Sequence, residues 1–148
     1  ADRRFLEAAE ARLLDCLETR RDADRHDAIV AVARSPTGNY YTGVPLETGQ
    51  ARFDVCAERA ALAAMERAAP GTASLDAILV AGPVPDGDAS VTTPCGACRH
   101  AIHDFSPDAS VLCSNFVREA DGWTTFPTVE RYTAAALYPH HTAHPTWE

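Results

Sequence analysis

Two short stretches carry the residues best equipped for chemistry: Cys56-Ala57-Glu58-Arg59 and, further on, Pro94-Cys95-Gly96-Ala97-Cys98-Arg99. Three thiols, with a carboxylate two residues after the first, can supply three zinc ligands and a proton-carrying acid. That is the minimum set for activating one water molecule, so the implied chemistry is zinc-assisted hydrolysis. Cys95 and Cys98 are three apart on one expected helix and share a face of it. Cys56 must come from another element, which makes the site rigid. Glu58 lies two positions from Cys56, where helical side chains diverge by roughly 160° (100° per residue). It therefore reads as an acid-base group beside the metal and not as a ligand.

Both stretches open predicted helices, where unsatisfied N–H groups favour anions and depress thiol pKa values. Three thiolates leave a divalent ion formally at minus one, so charge must be drawn off the sulfurs. The helix starts, Arg59 and Arg99 are the candidates, with Arg59 foremost because it follows the Cys56 and Glu58 pair directly. Each piece alone has a plainer meaning. Cys95-Gly96-Ala97-Cys98 could be a redox pair of the thioredoxin kind, Cys56 a core thiol, and Glu58 a solvated first-turn carboxylate. A structural zinc site would normally want a fourth protein ligand. The combination is far more specific than its parts and points to a hydrolytic zinc site. A metal-free redox protein and a non-catalytic zinc module stand as rivals from other classes.

Periodicity supplies the elements that must position these groups. Phe5, Leu6, Ala9, Leu13, Leu14 and Leu17 recur at spacings of three and four, which predicts an amphipathic helix from about Asp2 to Arg25. Ala28 to Ala33 suits a buried strand, and Tyr40 to Val44 a second one joined to it by a turn, making a hairpin. Val55 to Ala69 is a helix-forming mix stopped by Pro70-Gly71. Leu75 to Ala81 is a third strand, followed by a loop dense in Gly, Pro and Asp and then a helix from about Cys95 to Phe105. Ser110 to Asn115 is a fourth strand and Trp123 to Phe126 a fifth, with Thr128 capping a last helix that reaches about Leu137. Strands alternating with helices predict a three-layer α/β/α sandwich around a central mixed five-stranded sheet.

Composition narrows the class. The 148 residues, 46% hydrophobic, are expected to form a single domain, 1–148, with a self-sufficient core. No stretch approaches the ~20 apolar residues that span a bilayer, and the charged amphipathic start predicts a cytoplasmic protein without a membrane partner. A net charge of -8 argues against binding nucleic-acid polymers; every one of the 13 cations is Arg. Five cysteines, an odd number, argue against a disulfide framework. Cys16 and Cys113, among apolar neighbours, read as small buried hydrophobes.

At the two cysteine stretches the chain resembles the cytidine deaminase superfamily, and in particular its small, homotetrameric, three-cysteine branch. Gly38-Asn39-Tyr40-Tyr41-Thr42-Gly43 is similar to the family's hairpin turn, and the interval from Gly43 to Cys56 matches without a gap. Leu137-Tyr138-Pro139 resembles the family's Leu-Leu-Pro, so the likeness covers nearly the whole chain. It implies zinc at Cys56, Cys95 and Cys98, proton transfer by Glu58, sulfur neutralisation by Arg59, and a base-edge contact from the Ala57 backbone. The implied reaction is hydrolytic deamination of cytidine, deoxycytidine or a related cytosine nucleoside in pyrimidine salvage, by a homotetramer.

Two positions depart from the family pattern. Its sugar-binding Asn-x-Glu falls on Pro45-Leu46-Glu47, where Pro45 offers neither side-chain amide nor N–H, and its pocket Phe falls on Asp27. Carboxylates at Asp27 and Glu47 would suit a substrate with a cationic or differently hydroxylated appendage, or a non-ribosyl base. Blasticidin S deaminases are similar proteins that handle such a cytosine-bearing antibiotic, and their chains also end near a Trp, as at Trp147-Glu148. Asp27 reads equally well as a surface residue at a strand start. His26 carries no assignment, and His100 and His103 read as surface or packing residues. His140, His141 and His144, with Tyr138 and Trp147, read as a pocket mouth, an intersubunit contact or a flexible tail.

Overall fold

A computed structural model describes residues 2–22, 29–70, 74–120 and 122–139. Asp27, His26, the three C-terminal histidines, Trp147 and Glu148 lie outside the described residues. The first element is α1 (Asp2–Asp22), whose Phe5, Ala9, Leu13 and Leu17, each four apart, are fully buried. Burying a Leu or Phe side chain contributes about 1.5–3 kcal/mol, so this stripe alone docks the helix.

Strands β1 (Val30–Arg34), β2 (Tyr40–Gly43), β3 (Ala77–Pro83), β4 (Ser110–Glu119) and β5 (Gly122–Thr133) form one sheet in the order β2-β1-β3-β4-β5. The β3/β4 pair is parallel and the other pairs are antiparallel, so the sheet is mixed. Alternation divides its core in two. Val30, Val32, Leu79, Leu112 and Phe116 meet α1 on one face. Ala31, Ala33, Ile78, Val80 and Val111 meet α2 (Ala57–Ala68) and α3 (Gly96–Phe105) on the other. These are the three layers read from the sequence. No helix among the described residues is long and apolar enough to cross a membrane.

The end of the chain differs from expectation. Residues 128–133, expected in a helix capped by Thr128, continue β5, and only Ala134–Leu137 is helical (α4). The cap is Thr133, whose side chain accepts from Ala136 N at 3.1 Å. Tertiary pairing decides this: Val129 to Thr133 lie opposite Ser114 to Ser110 on β4, which outweighs the helical leaning of the segment. Thr128 N instead donates to the buried Asn115 Oδ1 at 3.0 Å, at an irregularity in the β4/β5 pairing. Asn115 Nδ2 also donates to Ser90 O at 2.8 Å, pinning the long loop that leads to α3.

Topology brings the two cysteine stretches together. Because β1 is antiparallel to both neighbours, β2 and β3 run in the same direction, and α2 and α3 follow them on the same sheet face. Both helices therefore start at the same end of the sheet, beyond the strand C-termini, the usual place for a ligand site in an open α/β fold. Gly43, at the end of β2, abuts α2 so closely that a Cβ there would collide with Ala57 O and Ala61 N.

Candidate active site

Each helix begins at a cysteine. Cys56 and Cys95 are the N-cap residues of α2 and α3, with extended backbones at φ -67° and -68°. Their carbonyls accept the first helical bonds, from Ala60 N at 3.0 Å and Arg99 N at 2.8 Å. Cys98 lies one turn into α3 and is fully buried. The arrangement puts Cys56 Sγ 3.7 Å from Cys95 Sγ, and all three sulfurs lie within 4.8 Å of one another. Zn–S bonds of about 2.3 Å at a tetrahedral angle place sulfurs about 3.8 Å apart, so the spacing fits one zinc ion. A soft three-sulfur donor set also selects zinc over magnesium or calcium, and three protein ligands leave a fourth position for a reactant.

The thiols differ in their surroundings. Burial pushes the Cys95 thiol up, but the backbone N–H of Cys98, the Cys98 and Cys56 thiols and the Ala97 N–H outweigh it, and the net shift is downward. Cys98 goes the other way: burial above all, then the Glu58 carboxylate, Cys95 and Cys56, push it up, against a smaller pull from Arg59. The expectation that a helix start depresses both thiols thus fails at Cys98. Desolvation and neighbouring negative charge exceed the pull of Arg59 there. Metal uptake there must displace a proton.

Glu58, only 4% exposed, is in hydrogen-bond contact with Cys98. Burial raises its pKa, and its own backbone N–H, the Cys98 thiol and Arg59 only partly offset that. A carboxyl that hydrogen-bonds the Cys98 sulfur, lines the cleft and holds its proton more tightly than usual is suited to proton transfer. Arg59 Nη2 lies 3.6 Å from Cys56 Sγ, and contacts to Cys56 and then Cys98 hold its guanidinium charged. Its Nε is buried without a hydrogen-bond partner. Arg99, the other cation considered for this task, turns away from the sulfurs toward the carbonyls of Pro94 and Leu137.

A cleft of about 280 Å³ opens onto the cluster, lined by Pro45, Glu47, Cys56, Ala57, Glu58 and Cys95 among others. Six of its residues were not singled out by sequence: Ile29, Leu46, Asp54, Val55, Thr92 and Thr93. Asp54 Oδ1 accepts from Thr48 N at 2.8 Å and Thr48 Oγ1 at 2.9 Å, and Leu46 pairs with Val55, so the loop bearing Pro45 and Glu47 is closed on itself. Thr92 N donates to Ser114 O at 3.0 Å, which fixes the opposite wall. The Thr-rich step immediately before Pro94 was the available signal for that wall. The lining among the described residues includes the carboxylates of Glu47, Asp54 and Glu58 and no Lys or Arg. Cys16 is half-buried near Val44 and Cys113 buried in the core, both away from the cluster; burial pushes Cys113 up to about 11.

The same architecture occurs in solved structures. Cytidine deaminase from Burkholderia pseudomallei superposes with a TM-score of 0.66 at 23% identity, covering 89% of this chain and 98% of that one. The chain has the cytidine deaminase fold. Cytidine deaminase from Mycobacterium tuberculosis matches with a TM-score of 0.56 at 22% identity over 78% of this chain and 79% of that one. The cytidine deaminase from Bacillus anthracis matches with 0.55 at 16%, over 90% and 89%. In sequence, the chain is 37% identical over 93 residues to Blasticidin-S deaminase of Bacillus cereus, a match spanning 60% of this chain and 65% of that relative. No protein-family model matches.

Proposed function

We propose that this protein is a zinc-dependent hydrolytic deaminase of a cytosine nucleoside or closely related amino-heterocycle, exchanging an exocyclic amine for a carbonyl oxygen and releasing ammonia. The observation that carries the reading is the three-sulfur cluster with the buried Glu58 against it, at the floor of a cleft sized for a small heterocycle. Zinc held by Cys56, Cys95 and Cys98 would supply the Lewis acidity that makes water nucleophilic at neutral pH. Glu58 takes the proton that water gives up, delivers it to the ring nitrogen, and then assists departure of ammonia. Its raised pKa suits a group that must hold a proton between those two transfers. Arg59 draws charge off the Cys56 and Cys98 sulfurs, and the first turn of α2, starting at Ala57, offers backbone to the base edge.

Pro45, Glu47 and Asp27 are assigned to the part of the site that receives the substituent on the ring. A cleft lined, among the described residues, by carboxylates and by neither Lys nor Arg disfavours anionic substituents such as phosphate. The same lining, with Pro45 where the family carries Asn, supports a second reading. In it the substrate is a cytosine bearing a cationic appendage, as in a blasticidin S-like antibiotic, and the likeness to a blasticidin-S deaminase points the same way. The proposal includes one domain over 1–148, a homotetramer, a cytoplasmic setting and a role in pyrimidine salvage under the first reading.

The purified protein is expected to hold about one zinc per chain and to release ammonia from cytidine, deoxycytidine or blasticidin S. Steady-state comparison of the three decides between the two readings. Glu58→Ala is expected to keep the metal and lose turnover by at least about 100-fold. Protein that takes no zinc and instead forms a reversible Cys95–Cys98 disulfide would establish the redox alternative. Full metal with no ammonia from a broad heterocycle panel would leave a non-catalytic zinc module.

A further inference from the structure

One side chain joins the metal-ligand loop to the last helix. Arg99, half-buried on the first turn of α3, donates from Nε to Pro94 O at 2.8 Å and from Nη1 to Leu137 O at 3.3 Å. Pro94 is the buried residue immediately before the N-cap Cys95, so its carbonyl sets how the chain enters α3. Leu137 closes α4, where carbonyls have run out of helical partners. A planar guanidinium can serve both at once because its donors diverge in a fixed fork.

Helix α4 is itself held firmly along α3. Ala134 N donates to Ala109 O and Ala135 N to Pro107 O, both at 2.9 Å, just beyond the C-terminal end of α3. Tyr138 Oη lies 3.2 Å from His100 Nδ1, and its ring meets those of His100 and His103 edge-on. The Arg99 bridge therefore runs from an anchored element to the backbone that aims Cys95. The hydrogen bond to Cys56 Sγ comes from Arg59, while the Arg99 donors named above go to backbone carbonyls.

We infer that Arg99 is a positioning residue for the metal ligand Cys95: by tying Pro94 to Leu137 it makes α4, an element outside the cleft, part of what holds the three sulfurs in register. The inference rests on the zinc reading above. Lys at position 99 keeps the charge but is a single point donor and cannot bridge both carbonyls. A bridging role therefore predicts that Arg99→Lys and Arg99→Gln behave alike, whereas a charge role predicts that Lys restores what Gln loses.

Zinc affinity is measured by competition with a chromophoric chelator, the thiolate-to-metal absorption of the cobalt-substituted protein is recorded, and the unfolding midpoint of the metal-free protein is taken for each variant. Both variants are expected to bind zinc about 10-fold or more weakly than the wild type and to show a weakened cobalt–thiolate band. Tyr138→Ala, which leaves Arg99 in place and unlatches the end of α4, is expected to weaken zinc in the same direction, and it decides the matter if the Arg99 variants do not fold. Wild-type affinity and spectrum in Arg99→Lys overturn the inference. So does a lowered metal-free midpoint with an unchanged cobalt spectrum, which marks a merely structural contact. A wild-type protein that binds no zinc at all removes the zinc reading itself, and this inference with it.

Discussion

Glu58 shows how much a single residue's environment adds to its identity. The spacing Cys-Ala-Glu makes its chemistry legible, because ligand and acid types are local facts of sequence. Its burial is not legible, since it depends on β2 and α3 closing over the start of α2, and the same holds for the raised thiol at Cys98. Burial raises the Glu58 pKa above its ordinary value, so the folded chain holds that proton more tightly than the unfolded one. The folded state thus binds more protons, and its stability falls as pH rises from that ordinary value through the raised one. Metal-free Glu58→Gln is expected to be more stable than the metal-free wild type at pH 7, with the difference closing as pH drops below about 4. Urea titrations of both proteins at the two pH values measure this; identical midpoints at pH 7 would show that Glu58 is not desolvated. Replacing the carboxyl would then cost turnover while gaining stability, the usual mark of a functional group kept at the expense of the fold.

Among elements, the strands and helices that carry the site were legible because their patterns are strong. The i+4 stripe of α1, the apolar runs of β1 and β3, and the Ala-rich α2 announce themselves, and both cysteine stretches sit at helix starts as read. Residues 128–133 misled because their pairing partner, β4, lies elsewhere in the chain and local propensity carries no record of it. The closure of the 45–55 loop by Asp54 and Thr48 was hidden for the same reason. Close packing of β2 on α2 gives a further expectation. Gly43→Ala must displace Ala57 O and Ala61 N, which are backbone and cannot rotate aside, so a loss of about 1–3 kcal/mol is expected, with Cys56 moved as well. A lowered urea midpoint at unchanged slope, together with weaker zinc binding, is the expected outcome; unaltered stability would mean that β2 can retreat from α2 freely.

For the molecule as a whole, the alternation of elements was enough to give three layers and a mixed sheet, while the strand order and the joining of two helix starts at one sheet end emerge only from the pairing. Because the sulfurs come from two separate helices, a metal ion bound by all three would cross-link the fold, and its binding energy would be linked to folding. At zinc about 1,000-fold above its dissociation constant, linkage contributes about 4 kcal/mol, or on the order of 10 °C in unfolding midpoint for a chain of this size. Calorimetry before and after chelation is expected to show that drop, growing with the free zinc concentration; a midpoint indifferent to chelator would contradict the site.

The separation of the two cysteine stretches by β3 also fixes a chronology. During synthesis, which proceeds from the N-terminus, Cys56 leaves the ribosome well before Cys95 and Cys98 follow, and the first sulfur has no companions until that later helix is in place. Under the zinc reading a nascent chain would be blind to its ion until the start of α3 has formed, and capture of the ion would mark that step.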